Sequence, residues 1–367
     1  MKKIIAIALA AIFVFGAMPL AITAAPSAPP VLTVEEAARR AIRNDTRIVD
    51  AQERETVADE SIRRALYAVR NAQTNAELTN ANAALMSAEL ARSLNIRDIQ
   101  ARKENVEYQI TRQFNAILNM QADLEHANRN LQMANRELEI TRLKLSLGMV
   151  SDLEHETSQL AVSRIESNIE LLESSIDSRF RTLNSFMGES AANLDRHYAL
   201  QLELVYEPIQ VANINRHVQQ FIDNSLAVAQ AQNAAQTAGY RVRHFAVPHH
   251  ALTGQLATVY TTYEEYVVAH NQALRAVEDA RQNVRDRVLA SYNSLKDLEL
   301  NIRTDELELA RLVRQLEVTE AMLALGRSTP IEVDRQRLEI ARRENALQQA
   351  RNNHTIQRMA FNNPNIL

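Results

Sequence analysis

The chain has 367 residues, a formal net charge of −4, and neither cysteine nor tryptophan. Without cysteine it forms no disulfide, and its acidic balance gives no support to a nucleic-acid partner. With only 6 glycines and 8 prolines, the composition is typical of long helices rather than of a strand-rich fold.

The first 25 residues follow the order of a secretory signal. A short basic start precedes an apolar run from Ile4 to Met18, and small residues follow up to Ala25. The apolar run is shorter than the ~20 residues that cross a bilayer as a helix. We therefore expect a signal peptide at 1–25 and an exported protein without a helical membrane anchor.

Four helices are predicted in the first half of the mature chain. Thr33 and Glu36 form a capping box that starts a short helix, and the Asn44-Asp45 pair ends it. The further elements in chain order are a helix from about Thr46 to Asn71, a polar tip at Asn71–Asn82, a long helix from about Ala83 to Leu147 that Gly148 ends, and a helix from about Asp152 to Met187.

This unit recurs in the second half of the chain. When Gly148 is aligned with Gly326, one offset of 178 residues pairs two apolar series that rise in steps of seven. The two series are Ile110, Ile117, Leu124, Leu131, Leu138 and Leu145, and Val288, Leu295, Ile302, Leu309, Leu316 and Leu323. Such a stripe is typical of a coiled-coil seam.

The sequence therefore predicts an all-α fold of two repeated units of long antiparallel coiled-coil helical hairpins, with little or no β structure. The predicted segments are an N-terminal linker at 26–32, helical repeat 1 at 33–188, an inter-repeat linker at 189–212 and helical repeat 2 at 213–363.

The duplicated order of these motifs resembles the outer-membrane efflux (TolC-like) family. The residues that carry the resemblance are Leu32–Ala37, the Asn44-Asp45 break, and the two turns Leu145–Leu153 and Leu323–Ile331. The resemblance implies a homotrimer whose helices close into a hollow α-barrel, in the outer membrane or the cell envelope. It also implies a periplasmic adaptor and an inner-membrane transporter as partners, with this chain as the exit duct.

The resemblance also implies two kinds of site. The turn residues that would dock the adaptor are Gly148, Met149, Val150, Ser151 and Leu153 in the first unit, and Gly326, Arg327, Ser328, Thr329 and Ile331 in the second. The candidates for a pore constriction are Glu332, Asp334 and Arg335, although Arg335 stands where a second acidic residue is expected. As an alternative, these three side chains lie on a solvated helix face.

One departure from the family concerns its transmembrane β-strands. Members usually insert two strands between the second and third helices of each unit, but Val31 to Leu147 contains no glycine or proline and few aromatic residues. In the second unit only 240–266 offers residues for a short hairpin. Membrane contact is therefore left open between a duct without such strands and peripheral contact through the helical tips.

We expect no catalytic site, metal or cofactor. His244, His249 and His250 are close in sequence but have no acidic or sulfur ligand at a recognised spacing. The favoured function is the exit duct of a tripartite efflux or type I secretion-like export system. The alternative is a coiled-coil scaffold of the cell envelope without a channel, and a periplasmic adaptor is weaker still because adaptors need β-rich domains.

Overall fold

The computed structural model describes residues 29–245 and 256–366, with residues 256–261 described by their backbone alone. Its strands are β1 (Val31–Thr33) and β2 (Ala199–Gln201). Its helices are α1 (Val34–Asn44), α2 (Thr46–Asn71), α3 (Asn75–Ser146), α4 (Asp152–Met187), α5 (Ile214–Asn224), α6 (Leu226–Arg243), α7 (Leu256–Ala324) and α8 (Pro330–Phe361). The predicted all-helical fold class is confirmed.

Two long helices organise the chain. The 72 residues of α3 span roughly 108 Å at the helical rise of 1.5 Å per residue. One part of α3 packs against α2 and the other against α4, so the two shorter helices are stacked along it. The 69-residue α7 packs against α6 and α8 in the same way. Helices α1 and α5 are both 11 residues long and pack on α3 and α7 respectively.

We call α1–α4 the first helical set and α5–α8 the second. In each set, polar caps lie at the break between the first and the second helix. Asp45 follows the last residue of α1, and its carboxylate accepts hydrogen bonds from the backbone N–H groups of Arg47 and Ile48 at the start of α2. Ser225 occupies the same place between α5 and α6, where its hydroxyl accepts from Val228 N–H. Because each cap begins a new helix one residue after the previous helix ends, no loop separates the two helices.

The connection between α2 and α3 is shorter than the sequence predicted. The polar tip at Asn71–Asn82 is wrong in its second part, since α3 begins at Asn75. The reason is a second capping box: Thr74 Oγ1 accepts from Glu77 N–H, and the Glu77 carboxylate accepts from Thr74 N–H. Because this reciprocal cap starts the helix at Asn75, the asparagines that follow lie within α3.

The strands form one parallel pair with Val31 opposite Ala199. The predicted inter-repeat linker at 189–212, which contains β2, thus returns to the start of the first helical set. There Leu32 is buried among residues of α1, α3 and α4. Three residues per strand agree with the expectation of little β structure.

The core consists of two apolar clusters near the middle of the long helices. In the first, Phe114 and Ile117 of α3 pack with Phe180 and Leu183 of α4. The second cluster is centred on Val288 and Leu295 of α7, with Phe221, Ile222 and Phe361. The predicted apolar series face inward, fully buried at these clusters and half-buried towards the glycine turns.

The helices lie side by side in an open layer. Between the core and the turns the order is α4, α3, α8 and α7, and in the other half it is α2, α3, α6 and α7. Within the described residues, α7 ends this order on one side and the stack of α2 and α4 ends it on the other, with the short helices α5 and α1 packed on them at the core. Between the core and the turns, the layer therefore has two edges without a neighbouring helix of this chain in its described part.

Candidate functional site

Both glycine turns have the same backbone geometry. Gly148 has φ of +68° and Gly326 has φ of +70°. Gly148 N–H donates to Leu145 O, and the next N–H, of Met149, reaches back to Lys144 O, both at 2.9 Å. The turn at Gly326 has equivalent bonds. This is a Schellman motif, which requires a left-handed residue and therefore favours glycine.

Acidic side chains begin the helix after each turn. In the first turn, Ser151 and Glu154 form a reciprocal capping box. In the second, the Glu332 carboxylate accepts from Ser328 Oγ at 2.6 Å and from Thr329 N–H at 3.0 Å. The bond from Ser328 contributes most to holding the pKa of Glu332 below its ordinary value, followed by that from Thr329 N–H. Glu332 is thus a cap of α8 as well as a constriction candidate.

Apolar side chains project from the turns into solvent. Leu147, Met149, Leu153 and Leu325 are each between 69% and 73% exposed. Among the docking candidates, Val150, Ser328 and Ile331 are half-buried, and the remaining ones are exposed. A cluster of protruding apolar groups at one end of a rigid hairpin pair is a surface that a partner can cover.

The other two constriction candidates are paired with α3. Asp334 Oδ2 lies 3.1 Å from Arg136 Nη1, and Arg335 Nη2 lies 2.5 Å from Glu137 Oε1. The two pairs are reciprocal, since each helix supplies one acid and one base. All four side chains are more than a third exposed, so each pair stabilises the fold by at most about 1 kcal/mol. Arg335, unexpected in an acidic constriction, therefore has a partner of its own.

The seam between α3 and α8 continues as a row of polar contacts. From the turns towards the core, the contacts are His126 to Leu338 O, Asp123 to Asn345 and Gln349, Asn115 to Asn353, and Glu104 to Asn363 and Asn365. The seams within each hairpin are instead lined by the apolar series. Sequence reasoning missed this polar seam, although Asn345, Gln349 and Asn353 recur every four residues and so lie on one helix face.

Both edges of the layer carry exposed apolar stripes. On α4 these are Leu153, Leu160 and Leu171, and at the other edge they are Leu325, which directly follows α7, and Val318 and Leu307 of α7, all at least 54% exposed. Counted away from the glycine turns, both stripes have the same spacing of seven and then eleven residues. Seven and eleven residues are close to two and three helical turns, so each stripe lies on one face. Sequence reasoning followed the buried series and did not find these stripes.

The sequence left open whether 240–266 forms a short hairpin, and the described part of this segment is helical apart from its residues just after the end of α6. Tyr240 lies in α6, and Tyr263 and Tyr266 lie in α7; residues 246–255, including His249 and His250, are outside the described residues. In the described part of the chain, no three His, Asp or Glu side chains are placed to hold a metal ion. Over the same residues, no helix combines the length and apolarity needed to cross a membrane.

Neither a protein-family model nor a curated protein sequence matches the chain. Solved structures do. The outer membrane protein VceC from Vibrio cholerae superposes with a TM-score of 0.65 at 12% identity, over 88% of this chain and 94% of that one. This chain has a TolC-like fold.

Two further structures support the same TolC-like fold. A membrane protein from Pseudomonas aeruginosa matches with a TM-score of 0.66 at 9% identity, over 89% of each chain. The Campylobacter jejuni CmeC outer membrane channel matches with a TM-score of 0.62 at 10% identity, over 90% of this chain and 85% of that one. At such identities the likeness establishes the architecture alone.

Proposed function

We propose that this protein is the exit duct of a tripartite export system, acting outside the cytoplasm in the outer membrane or the cell envelope. The observation that carries the proposal is the TolC-like layer with two matched apolar edges. The duct acts by geometry and has no catalytic role: cargo passes along the polar faces of the helices without a chemical step.

The two edges support assembly by self-association. If the α4 edge of one copy packs against the α7 edge of the next, the stripes meet in register because their spacings agree and both start at the turns. Such a head-to-tail contact closes into a ring when the rotation per copy is right. Burying six large apolar side chains that are now half or more exposed contributes about 8 kcal/mol per interface before the costs of association.

The number of copies in the proposed ring is three, as the resemblance implies. The open layer of each chain then supplies a third of a helical barrel, and the space inside the ring is the conduit. The glycine turns of all copies lie at one rim. In this arrangement Glu332, Asp334 and Arg335 lie just inside that rim and narrow it.

The exposed turns are proposed as the docking surface for a periplasmic adaptor, which connects the duct to an inner-membrane transporter. Leu147 and Met149 project from the turns without an intramolecular partner large enough to bury them. The Schellman geometry and the caps hold these side chains on a rigid support, so docking orders few additional residues.

Negative-stain electron microscopy and mass photometry of the purified mature protein test the proposal. We expect a hollow particle of three copies. The double variant Leu160→Glu with Leu307→Glu places charges on both edges and should yield single copies. Leu143→Glu is the matched control, because Leu143 is equally exposed but lies on α3, within the layer. A wild-type particle that stays monomeric, or a solid bundle without a lumen, contradicts the duct and supports the scaffold.

A further inference from the structure

A buried histidine lies outside the features used above. His354 of α8 is fully buried, and its Nε2 is 3.3 Å from Oε1 of Glu299 on α7. Among the described residues Nδ1 of His354 has no hydrogen-bond partner, and Nε2 faces only this carboxylate oxygen. A buried polar group without partners carries a cost that the fold normally avoids.

The same carboxylate holds the linker between the helical sets. Glu299 Oε1 accepts a hydrogen bond from Ile209 N–H at 2.5 Å, while Oε2 accepts from Lys296 Nζ at 2.8 Å. We name residues 205–209 the strap, because they cross α7 and α8 at this level. One oxygen of Glu299 thus faces both the strap and the buried ring.

Further contacts hold the strap on α8. Arg358 Nη1 donates to both the carbonyl and the carboxylate of Glu207, at 2.9 Å and 2.8 Å. Thr355 Oγ1 lies 3.3 Å from Val205 O and 3.0 Å from Arg351 O, so its single hydrogen is shared between the strap and its own helix. The ring of Tyr206 meets that of His354 edge-on, with the centroids 4.9 Å apart. The strap therefore covers His354 and separates it from water.

The charges around the ring are mixed. The charged and titratable groups are Lys296 and Glu299 on α7, Arg351 and Arg358 on α8, and Tyr206 and Glu207 on the strap. Burial raises the pKa of the Tyr206 hydroxyl most, and among the α7 groups Glu306 raises it further while Arg303 lowers it. Burial lowers the pKa of His354 most, Glu299 raises it, and Arg358 and Lys296 lower it, with a net result below the ordinary 6.5.

We propose that the strap is a proton-operated latch, which His354 holds closed when neutral and releases when protonated. A protonated ring has N–H donors on both nitrogens. Nε2–H then faces Glu299 Oε1 beside Ile209 N–H, but Nδ1–H points into a site where the described residues offer it no acceptor, so the buried charge is only half satisfied under the closed strap. Opening the strap gives both donors access to water.

The sign of the pH dependence follows from this linkage. A histidine whose pKa is lower under the closed strap than in water binds a proton more readily when the strap is open. The closed strap is therefore fully favoured above the ordinary pKa of 6.5. That preference is lost progressively as the pH falls from this value through the lower pKa of the closed state.

Hydrogen exchange of the full mature chain tests the latch. Protection of the peptide 203–212 is compared at about pH 7.5 and about pH 5.5, on either side of the ordinary histidine pKa, after correction for the intrinsic pH dependence of exchange. We expect protection in the wild type to be lower at about pH 5.5 than at about pH 7.5, because protonation favours the open strap. His354→Phe should show equal protection at both pH values.

Two measurements keep the test decisive. His354→Gln, which stays neutral, replaces the phenylalanine variant if that variant does not fold, and His217→Gln is the control that should keep the fall in protection. An NMR titration reads the pKa of His354 directly. The latch is wrong if the wild type shows no fall, if both His354 variants show the same fall, or if His354 titrates at or above 6.5.

Discussion

Alanine substitutions at three glycines distinguish two contributions to the free energy of unfolding: the strain of a left-handed backbone, and the steric clash of an added Cβ. Gly148, Gly188 and Gly326 have φ of +68°, +77° and +70°. An added Cβ would meet no atom within 4 Å at Gly148 or Gly326. Alanine in the left-handed region costs about 1–2 kcal/mol, so Gly148→Ala and Gly326→Ala should each lower the free energy of unfolding by that amount and by nearly the same amount as each other.

Gly188 ends α4 against the junction of α1 and α2. There the added Cβ would lie 1.2 Å from Asn44 Nδ2, so Gly188→Ala must also move the Asn44 side chain off its rotamer. That movement costs about 1 kcal/mol more. In the double variant with Asn44→Ala the collision is absent, and the cost of Gly188→Ala should return to the cost at the other two glycines.

Urea unfolding followed by far-UV circular dichroism measures these differences, and the double variant completes a mutant cycle. The reasoning is refuted if Gly188→Ala costs no more than Gly148→Ala, or if Asn44→Ala leaves the cost of Gly188→Ala unchanged. Unequal costs at Gly148 and Gly326 would show that the two turns differ in a way that their backbone geometry does not express.

Three further predictions concern the core, the ion pairs between α3 and α8, and the pH dependence of the stability that Glu104 contributes. Phe180→Ala should lower the free energy of unfolding by about 3–5 kcal/mol, whereas Leu171→Ala, on the exposed edge, should change it by less than about 0.5 kcal/mol in the monomer; urea unfolding compares them. Arg136→Asp and Asp334→Arg should each cost up to about 1 kcal/mol, and the double variant should recover it. Burial raises the pKa of Glu104, but its side-chain hydrogen bonds lower it to a net value below 4.5, so its stabilisation is present above pH 4.5 and lost as the pH falls through the lower folded value. Thermal unfolding of Glu104→Gln should then show a shallower loss of stability in that range than the wild type, and an equal loss would contradict the assignment.

The periodic parts of the fold could be predicted because they follow local rules. Ile117 and Leu295 belong to seven-residue series, and both are fully buried. Thr33 caps α1 as the sequence predicted, and the predicted break at Asn44-Asp45 is where α1 ends and α2 begins. The start of α3 was missed because a run of asparagines suggests a turn, whereas the capping box at Thr74 decides where the helix begins.

The lateral contacts could not be predicted in the same way. Nothing local in the sequence states that Asp334 faces Arg136, because the pairing depends on which helix lies beside which. The position of the strap has the same origin: Ile209 and Glu299 are far apart in sequence and meet only after the linker crosses α7. Side-by-side order is a property of the whole layer and not of any one helix.

The parallel strand pair has a consequence for the order of folding. Val31 and Ala199 meet only after the entire first helical set has closed between them, and loop closure over such a length is entropically expensive. The hairpin of α3 and α4, which is built from contacts between residues near in sequence, should therefore form early. The strand pair of β1 and β2 should form late. During synthesis β1 therefore stays unpaired until β2 has left the ribosome.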